Sequence, residues 1–491
     1  MNSATYITLA LYFLAMLGIG LYAWRHSTSD SEGYLLGGRQ LGPVVAALTT
    51  GATGMSGWLF LGLPGAVYAG GLIVGWMAIG LFAGAFTNWI VVATRLREQT
   101  ERIGNALTIP QFLANRFPQS ATALRVTSAA IIVVFFAVYT ASGLVGGGKM
   151  FAEMFPGLLG TGPHGDYLTG VWLTAGVVVA YTMIGGFLAV SLTDAVQGLI
   201  MVTALILMPL VVVGDLGGMQ ATGVVLDAAD PALLDMVGGL TLFGFLSAVT
   251  WGLGYFGQPH ILTRFMAVRN VETIPASRNI AMIWMALVLA GAMAIALTGR
   301  AYVESNGLTL ADPETIFLLL ARALFSPIVT GFLLAALLSA IMSTVSSQLL
   351  VASSSLTEDF YRLFLRRDAS EREMVNAGRA CVLLVAVVAG VIANDPNSEV
   401  LGLVANAWAG FGAAFGPLVI LSLTWRGMTG WGALAGLVTG AGVVAAWIAL
   451  GWNQSFMGGE GLYEILPGFV AAWLAIWLIS KVTRRAEPLP A

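Results

Sequence analysis

Ala340, Ser343, Thr344 and Ser347 follow one another at offsets of 0, 3, 4 and 7 residues, so they share one face of a helix. Hydroxyls on such a face can hold a small cation if main-chain carbonyls complete the shell. One source of free carbonyls is Gly51-Ala52-Thr53-Gly54-Met55-Ser56-Gly57-Trp58, where glycines and hydroxyl residues separate the apolar runs 44–48 and 59–63. Glycine and small hydroxyl residues loosen the helical ladder. In lipid each unsatisfied N–H or C=O costs several kcal/mol, so a break at that depth survives only against protein or a polar cavity. Thr250-Trp251-Gly252-Leu253-Gly254-Tyr255-Phe256-Gly257-Gln258-Pro259 repeats the pattern. Glycines also serve close helix packing, and lone hydroxyls usually bond a neighbouring backbone; two interruptions and a hydroxyl face together favour a ligand site.

Aromatic residues cluster at the same places: Trp58 after the first interruption, Trp251, Tyr255 and Phe256 in the second, and Tyr139 in a separate apolar run. They suit an apolar ring, while N–H groups at the start of a half-helix suit a carboxylate. A small amino acid meets both demands.

The elements that must position these residues are membrane helices. Of the 491 residues 58% are hydrophobic and 10% charged, against roughly 25% charged in soluble domains. At ~20 residues per span, thirteen segments are expected: 4–24, 42–70, 71–94, 122–151, 168–185, 187–214, 239–259, 278–302, 327–352, 374–393, 398–424, 430–451 and 464–481. All of the 22 Lys and Arg except Lys149, Arg300 and Arg322 then fall on one side. Basic residues collect on the cytoplasmic side, so the N-terminus is expected outside and the C-terminus inside. The first segment lacks a basic lead and a clear cleavage site and reads as a retained helix.

The single cysteine, Cys381, excludes an intramolecular disulfide and a thiolate metal cluster. The basic residues fit orientation better than nucleic-acid recognition. Thr108 is expected to cap a short helix with Pro110 in its first turn, and residues 311–325 read as another short helix. Asp194 is the one carboxylate expected inside a span, close to its cytoplasmic end. The glycines at 412 and 416, and at 432, 436 and 440, read as packing faces. The two interrupted segments stand five spans apart, an odd number, so segments two to six and seven to eleven insert in opposite senses. Paired broken helices between inverted repeats point to a transporter binding site.

The strings Leu36-Gly37-Gly38-Arg39, Met55-Ser56-Gly57-Trp58, Gly62-Leu63-Pro64-Gly65-Ala66, Gly252 to His260, Met342-Ser343-Thr344 and Ala407 to Gly412 resemble the sodium/solute symporter family, and within it the members that carry proline. The likeness runs from about residue 5 to 480. It implies an all-α polytopic membrane protein: thirteen transmembrane helices around a LeuT-like core of five-plus-five inverted repeats, with helices two and seven broken. The chain is then one transporter domain, 1–491, with an extra N-terminal helix at 4–24, repeats at 42–214 and 239–424, and extra C-terminal helices at 430–481.

By the same resemblance, sodium is held by the carbonyls of Ala52 and Met55 with Ala340, Ser343 and Thr344. Proline meets Ser56, Gly57, Trp58, Tyr139, Trp251, Tyr255 and Pro259. Arg39 and Asp194 match residues of ion coupling on the cytoplasmic side. The implied activity is sodium-driven import of proline or a closely related small amino acid across a bacterial cytoplasmic membrane, without an organic cofactor. One departure stands out. Proline-carrying members typically have an aspartate directly before Met-Ser-Gly-Trp, and this chain has Gly54. Two alternatives follow: the same fold with proton coupling or weakly coupled uniport, and a transporter-like sensor. The chain ends soon after segment thirteen, which disfavours an attached output domain. No nucleophile-base-acid set is visible in the spans, so an enzyme is not expected.

Overall fold

Glycine and proline set the helix boundaries. The computed structural model describes residues 3–26, 31–157 and 162–484. Helix α1 (Ser3–His26) is followed by the short α2 (Ser31–Leu36). The first interrupted segment is α3 (Pro43–Gly54), a 3-10 turn at Gly57–Leu59, and α4 (Gly62–Gly70). Pro43 opens α3, where a missing N–H costs nothing. After α5 (Gly75–Asn88) and α6 (Thr94–Arg102) comes α7 (Ile109–Arg116), the short helix expected from sequence. The Thr108 hydroxyl accepts from the Gln111 N–H at 3.1 Å.

Two long helices complete the first half, α8 (Ala121–Met154) and α9 (Pro163–Asp215). The latter bends at Gly186, whose φ of 59° and ψ of −160° lie in a region open essentially to glycine. A Cβ there would also meet the Tyr34 ring at 2.8 Å. This one residue divides the two segments expected at 168–185 and 187–214. The acidic stretch that follows holds an unexpected helix, α10 (Met219–Ala229).

The second interrupted segment is α11 (Leu242–Val249), a 3-10 stretch at Thr250–Phe256, and α12 (Pro259–Ala267). The remaining helices are α13 (Ile274–Ser305), α14 (Ile316–Leu324), α15 (Pro327–Leu356), α16 (Glu371–Ile392), α17 (Val400–Thr424), α18 (Gly430–Ala449) and α19 (Ile465–Thr483). Ten helical stretches among the described residues are long and apolar enough to cross a membrane. The second half of the first interrupted segment runs on into the stretch Gly57–Arg102, the second interrupted segment is a shorter apolar helix, Leu242–Phe256, and the run before the Gly186 bend falls outside the ten.

Helix α15 is the axis of the molecule, with 83% of its most apolar window buried. It packs on α8 because Gly143 and Gly146 leave room for Val345 and Ile341; added Cβ atoms would meet them at 2.6 and 3.3 Å. Ile341 also faces Gly57, at 3.0 Å from a Cβ there, which brings the first break against the same helix. The glycine stripes on α17 and α18 are packing faces: Gly416 meets Phe469, and Gly432 and Gly436 meet Ser480 and Ile476 of α19.

Candidate substrate and cation site

Helix α3 ends where Met55 leaves helical geometry at φ −115°, ψ 78°, and Ser56 is extended. The carbonyls of its last turn therefore lack the usual partners one turn on, although that of Ala52 accepts a tighter bond from the Met55 N–H at 3.3 Å. Two of them turn to α15. Ser343 Oγ donates to the Ala52 carbonyl at 3.1 Å, and Thr344 Oγ1 donates to the Thr53 carbonyl at 3.1 Å and to that of Ala52 at 3.5 Å. Ser343 Oγ also lies 3.2 Å from the Ala340 carbonyl. All five residues are buried. Oxygen atoms from both helices thus converge at Ala52, Thr53, Ala340, Ser343 and Thr344, a donor set suited to a hard cation. Each hydroxyl has lone pairs to offer once its proton turns aside. Ser347, on the same face, takes a hydrogen bond from Arg264 Nη2 and stands outside this cluster.

Beyond the break, Ser56, Trp58 and Tyr139 are each about 1% exposed. The Tyr139 hydroxyl lies beside Ser56 and the Trp58 indole, yet Ser56 Oγ, Trp58 Nε1 and Tyr139 OH all lack a hydrogen-bond partner of good geometry. An unpaired buried polar group costs ~1–3 kcal/mol, and here three donors carry that cost together. His260 adds two unpartnered ring nitrogens and stands edge-on to Tyr139 and Phe136, with centroids at 5.9 and 5.4 Å.

Helix α17 supplies a residue that local sequence did not mark as part of the site. Trp408 Nε1 donates to the Trp251 carbonyl at 2.7 Å, and its ring meets Tyr255 edge-on at 5.0 Å and Tyr139 at 6.5 Å. Gln258, at the second break, donates to the Trp408 carbonyl at 3.2 Å. Ser56, Trp58, Tyr139 and Tyr255 are thereby gathered around one aromatic corner. Trp251 and Pro259 face elsewhere. The Trp251 ring stacks on Tyr463 at 5.0 Å. Pro259 lines a small cavity with Thr108, Ile109, Ser354 and Ser355, toward α7.

Asp194 follows the Gly186 bend by about two turns, ~12 Å along the helix, and is fully buried against the protein. Its Oδ2 accepts from Thr49 Oγ1 at 2.7 Å and faces Arg264 Nη2 at 3.5 Å. Arg264 also donates to the His260 carbonyl at 3.0 Å and lies over the Phe187 ring. Nor is Asp194 the only buried acid in the continuation of a span: Asp359 is fully buried and pairs with Arg125 at 2.7 Å.

Gly54 has an ordinary negative φ, since it is absent from the positive-φ glycines. A Cβ built on it points at Ile261 Cδ1, 3.2 Å away, and Tyr255 Cε1, 3.7 Å away. Its side-chain direction is therefore α12 and the second break, with the hydroxyls of α15 farther off.

Arg39 stands apart from the site, at the far end of α12. Its Nη1 donates to the Met266 carbonyl at 2.8 Å and its Nη2 to that of Ala106 at 2.8 Å. Arg97 donates to the carbonyls of Val268 at 2.6 Å and Arg269 at 3.2 Å. Between them Leu41 pairs with the same segment: its N–H donates to the Ala267 carbonyl at 3.2 Å and its carbonyl accepts from the Arg269 N–H at 3.1 Å. Two guanidinium groups at a helix C-terminus complement its negative end. Arg39 thus fastens α12 to the arginine-rich face.

With this geometry in view, the profile of the Sodium:solute symporter family matches residues 34–440. The chain is 51% identical over 469 residues to the high-affinity proline transporter PutP of Bacillus subtilis, covering 96% of each. It is 48% identical over 479 residues to the osmoregulated proline transporter OpuE of the same organism, covering 98% of this chain and 95% of the relative. The sodium/proline symporter of Staphylococcus aureus is 47% identical over 494 residues, covering 99% and 94%. Among solved structures, a Na+-coupled sialic acid symporter superposes with a TM-score of 0.81 over 99% of both chains at 16% identity. Mhp1, a nucleobase-cation-symport-1 family transporter, gives 0.59 over 93% and 95% at 13% identity. At these identities the two structures speak for the fold alone. Helices broken at the expected places, this shared fold and near-half identity along almost the whole length lead to one conclusion: the chain belongs to the sodium:solute symporter family.

Proposed function

We propose that the protein imports L-proline together with sodium across a bacterial cytoplasmic membrane, by alternating access of one central site. The names of its relatives support the substrate and the ion. The observation that carries the reading is the group of buried donors that meet one another but have no partner of good geometry, Ser56 Oγ, Trp58 Nε1 and Tyr139 OH. Three convergent N–H and O–H groups want an anion, and a substrate carboxylate supplies one. The aromatic corner of Tyr139, Tyr255 and Trp408 is the apolar wall against which a pyrrolidine ring packs. Gly57, close against α15, lets the backbone approach the substrate. Trp251 and Pro259 contribute from the second break by fixing Trp408 and the start of α12.

Sodium, in this reading, takes the carbonyls of Ala52, Met55 and Ala340 with the hydroxyls of Ser343 and Thr344. Its shell and the substrate donors lie on one broken stretch, 52–58, so either ligand fixes backbone that the other needs. That shared ordering is a coupling free energy and acts equally in both directions. Arg39 and Asp194 serve the cycle through α12: Arg39 at its far end, Asp194 through Arg264 on its last turns. The repeats are assigned to 42–214 and 239–424, with the N-terminus outside and the C-terminus inside.

Gly54 favours a second reading, proton coupling or weakly coupled uniport, because among the described residues no carboxylate hydrogen-bonds to the carbonyl cluster. Asp194, the buried acid nearest in the network, is engaged by Thr49 and Arg264. Uptake of labelled proline by reconstituted protein under separate sodium and proton gradients decides between them. Accumulation driven by sodium alone supports symport, and accumulation indifferent to sodium overturns it. Competition by sugars or monocarboxylates, but not by proline, would overturn the substrate.

A further inference from the structure

On the arginine-rich face, where α6 and α7 meet the end of α17, lies a cavity of about 660 Å³ whose lining shares no residue with the proline and sodium site. Gln99, Arg102, Asn115, Arg116, Trp425 and Arg426 line it. Its size falls within the ~300–1,000 Å³ of small-molecule sites. Three guanidinium groups border the space, and no carboxylate does.

The neighbouring acids are accounted for. Glu101 is taken by Arg97 at 2.6 Å. Glu98, one turn before Arg102, makes no ion pair with it, and among the described residues none of Arg102, Arg116 and Arg426 has a salt-bridge partner. Arg116 is held in place: Nη1 donates to Gln99 Oε1 at 3.0 Å, its guanidinium lies over the Phe117 ring at 5.7 Å, and Gln99 is itself anchored to the Leu423 carbonyl at 3.3 Å. The remaining edge of its planar fork is uncommitted. A positioned arginine with a free edge, flanked by two more, is matched to a tetrahedral oxyanion. Trp425, half-buried, also lines the cavity, and tryptophan is the kind of side chain that occupies the headgroup layer. Basic pockets between helices on this side of a membrane are suited to anionic headgroups.

We propose that this cavity binds a phosphate-bearing anion of net negative charge. An anionic lipid headgroup and a free phosphate share that chemistry. The site is independent of the proline and sodium site, and its success or failure does not bear on the transport reading.

The test is native mass spectrometry of the full-length protein in detergent, titrated with phosphatidylglycerol or phosphatidylcholine. The unaltered protein should retain phosphatidylglycerol in preference to phosphatidylcholine. Removing two arginines with Arg116→Gln and Arg426→Gln should weaken that retention roughly thirtyfold. Arg116→Lys with Arg426→Lys should keep most of it, and Arg278→Gln, on the same face but outside the cavity, should keep all of it. Arg426→Gln alone changes an exposed side chain and serves if the double variant does not remain monodisperse; it should weaken retention roughly fivefold. Inorganic phosphate at millimolar concentration identifies the source: displacement of the lipid means that phosphate alone is read, and persistence means that the headgroup is. Equal retention of the two lipids, undiminished binding in both glutamine variants, or an equal loss in Arg278→Gln would overturn the proposal.

Discussion

Gly54→Asp places a carboxylate directly before Met-Ser-Gly-Trp, where the family resemblance implies one. The backbone accepts it, since the φ of Gly54 is not in the left-handed region. Sterically the new Cβ meets Ile261 Cδ1 at 3.2 Å, the end of a flexible side chain that must give by a few tenths of an ångström. The direction matters more. Because the side chain starts toward Ile261 and Tyr255, its carboxylate is treated as a neighbour of a cation at the Ala52 and Thr344 oxygens and not as a ligand, at a separation on the order of 6–8 Å. At an effective dielectric of ~20 that distance is worth about 2–3 kcal/mol, or a roughly thirty- to hundredfold fall in the sodium concentration for half-maximal proline uptake. Without sodium the same carboxylate is buried against apolar atoms at a cost of several kcal/mol. The variant should therefore melt lower than the unaltered protein in sodium-free buffer and regain more stability per decade of added sodium. Uptake by proteoliposomes across a sodium series, with melting curves in parallel, measures both. Gly54→Asn displaces Ile261 equally and carries no charge, so it separates packing from electrostatics. A monodisperse Gly54→Asp protein with unchanged sodium dependence, or an equal shift in Gly54→Asn, would refute the electrostatic argument.

Three further outcomes are expected. Ser343→Ala and Thr344→Ala should each raise the half-saturating sodium concentration roughly tenfold, as loss of a ligand worth ~1.4 kcal/mol does; unchanged dependence in both would remove them from the shell. Tyr139→Phe deletes a hydroxyl with no partner of good geometry in the protein, so melting should stay within about 1 kcal/mol while the KM for proline rises at least tenfold; a lower melting point with unchanged KM would make that hydroxyl structural. Arg39→Gln or Arg97→Gln should speed hydrogen exchange of the Leu41 and Arg269 amides ~10- to 100-fold, because charge-assisted hydrogen bonds are worth ~1.5–3 kcal/mol; unaltered exchange would show that the bridge holds without them.

The residues that sequence marked are those whose signal is local. The breaks at 51–58 and 250–259 announce themselves by glycine density in apolar runs, and the hydroxyl face by its 3.6-residue period. Thr108 and Pro110 spell out a helix start. What sequence did not mark depends on partners far along the chain. Trp408 reads as one more apolar residue on a packing helix until its indole is seen on the Trp251 carbonyl, 157 residues away. Arg264 looks like an interfacial charge, and its pairing with Asp194 spans 70 residues. The bend at Gly186 is a backbone conformation that a Gly-Gly pair permits but does not dictate. Helix α10 was hidden because its acidic and glycine-rich surroundings read as loop.

The clamp on the end of α12 has an unequal susceptibility to change. Its acceptors at Met266, Val268 and Arg269 are main-chain carbonyls, which every amino acid carries, so no ordinary substitution at those three positions deletes an acceptor. Its donors are two arginine side chains, and a single base change can remove either. Drift in this contact is therefore confined to Arg39 and Arg97. The same chemistry removes one kind of sensitivity: the acceptors are main-chain carbonyls, which do not titrate.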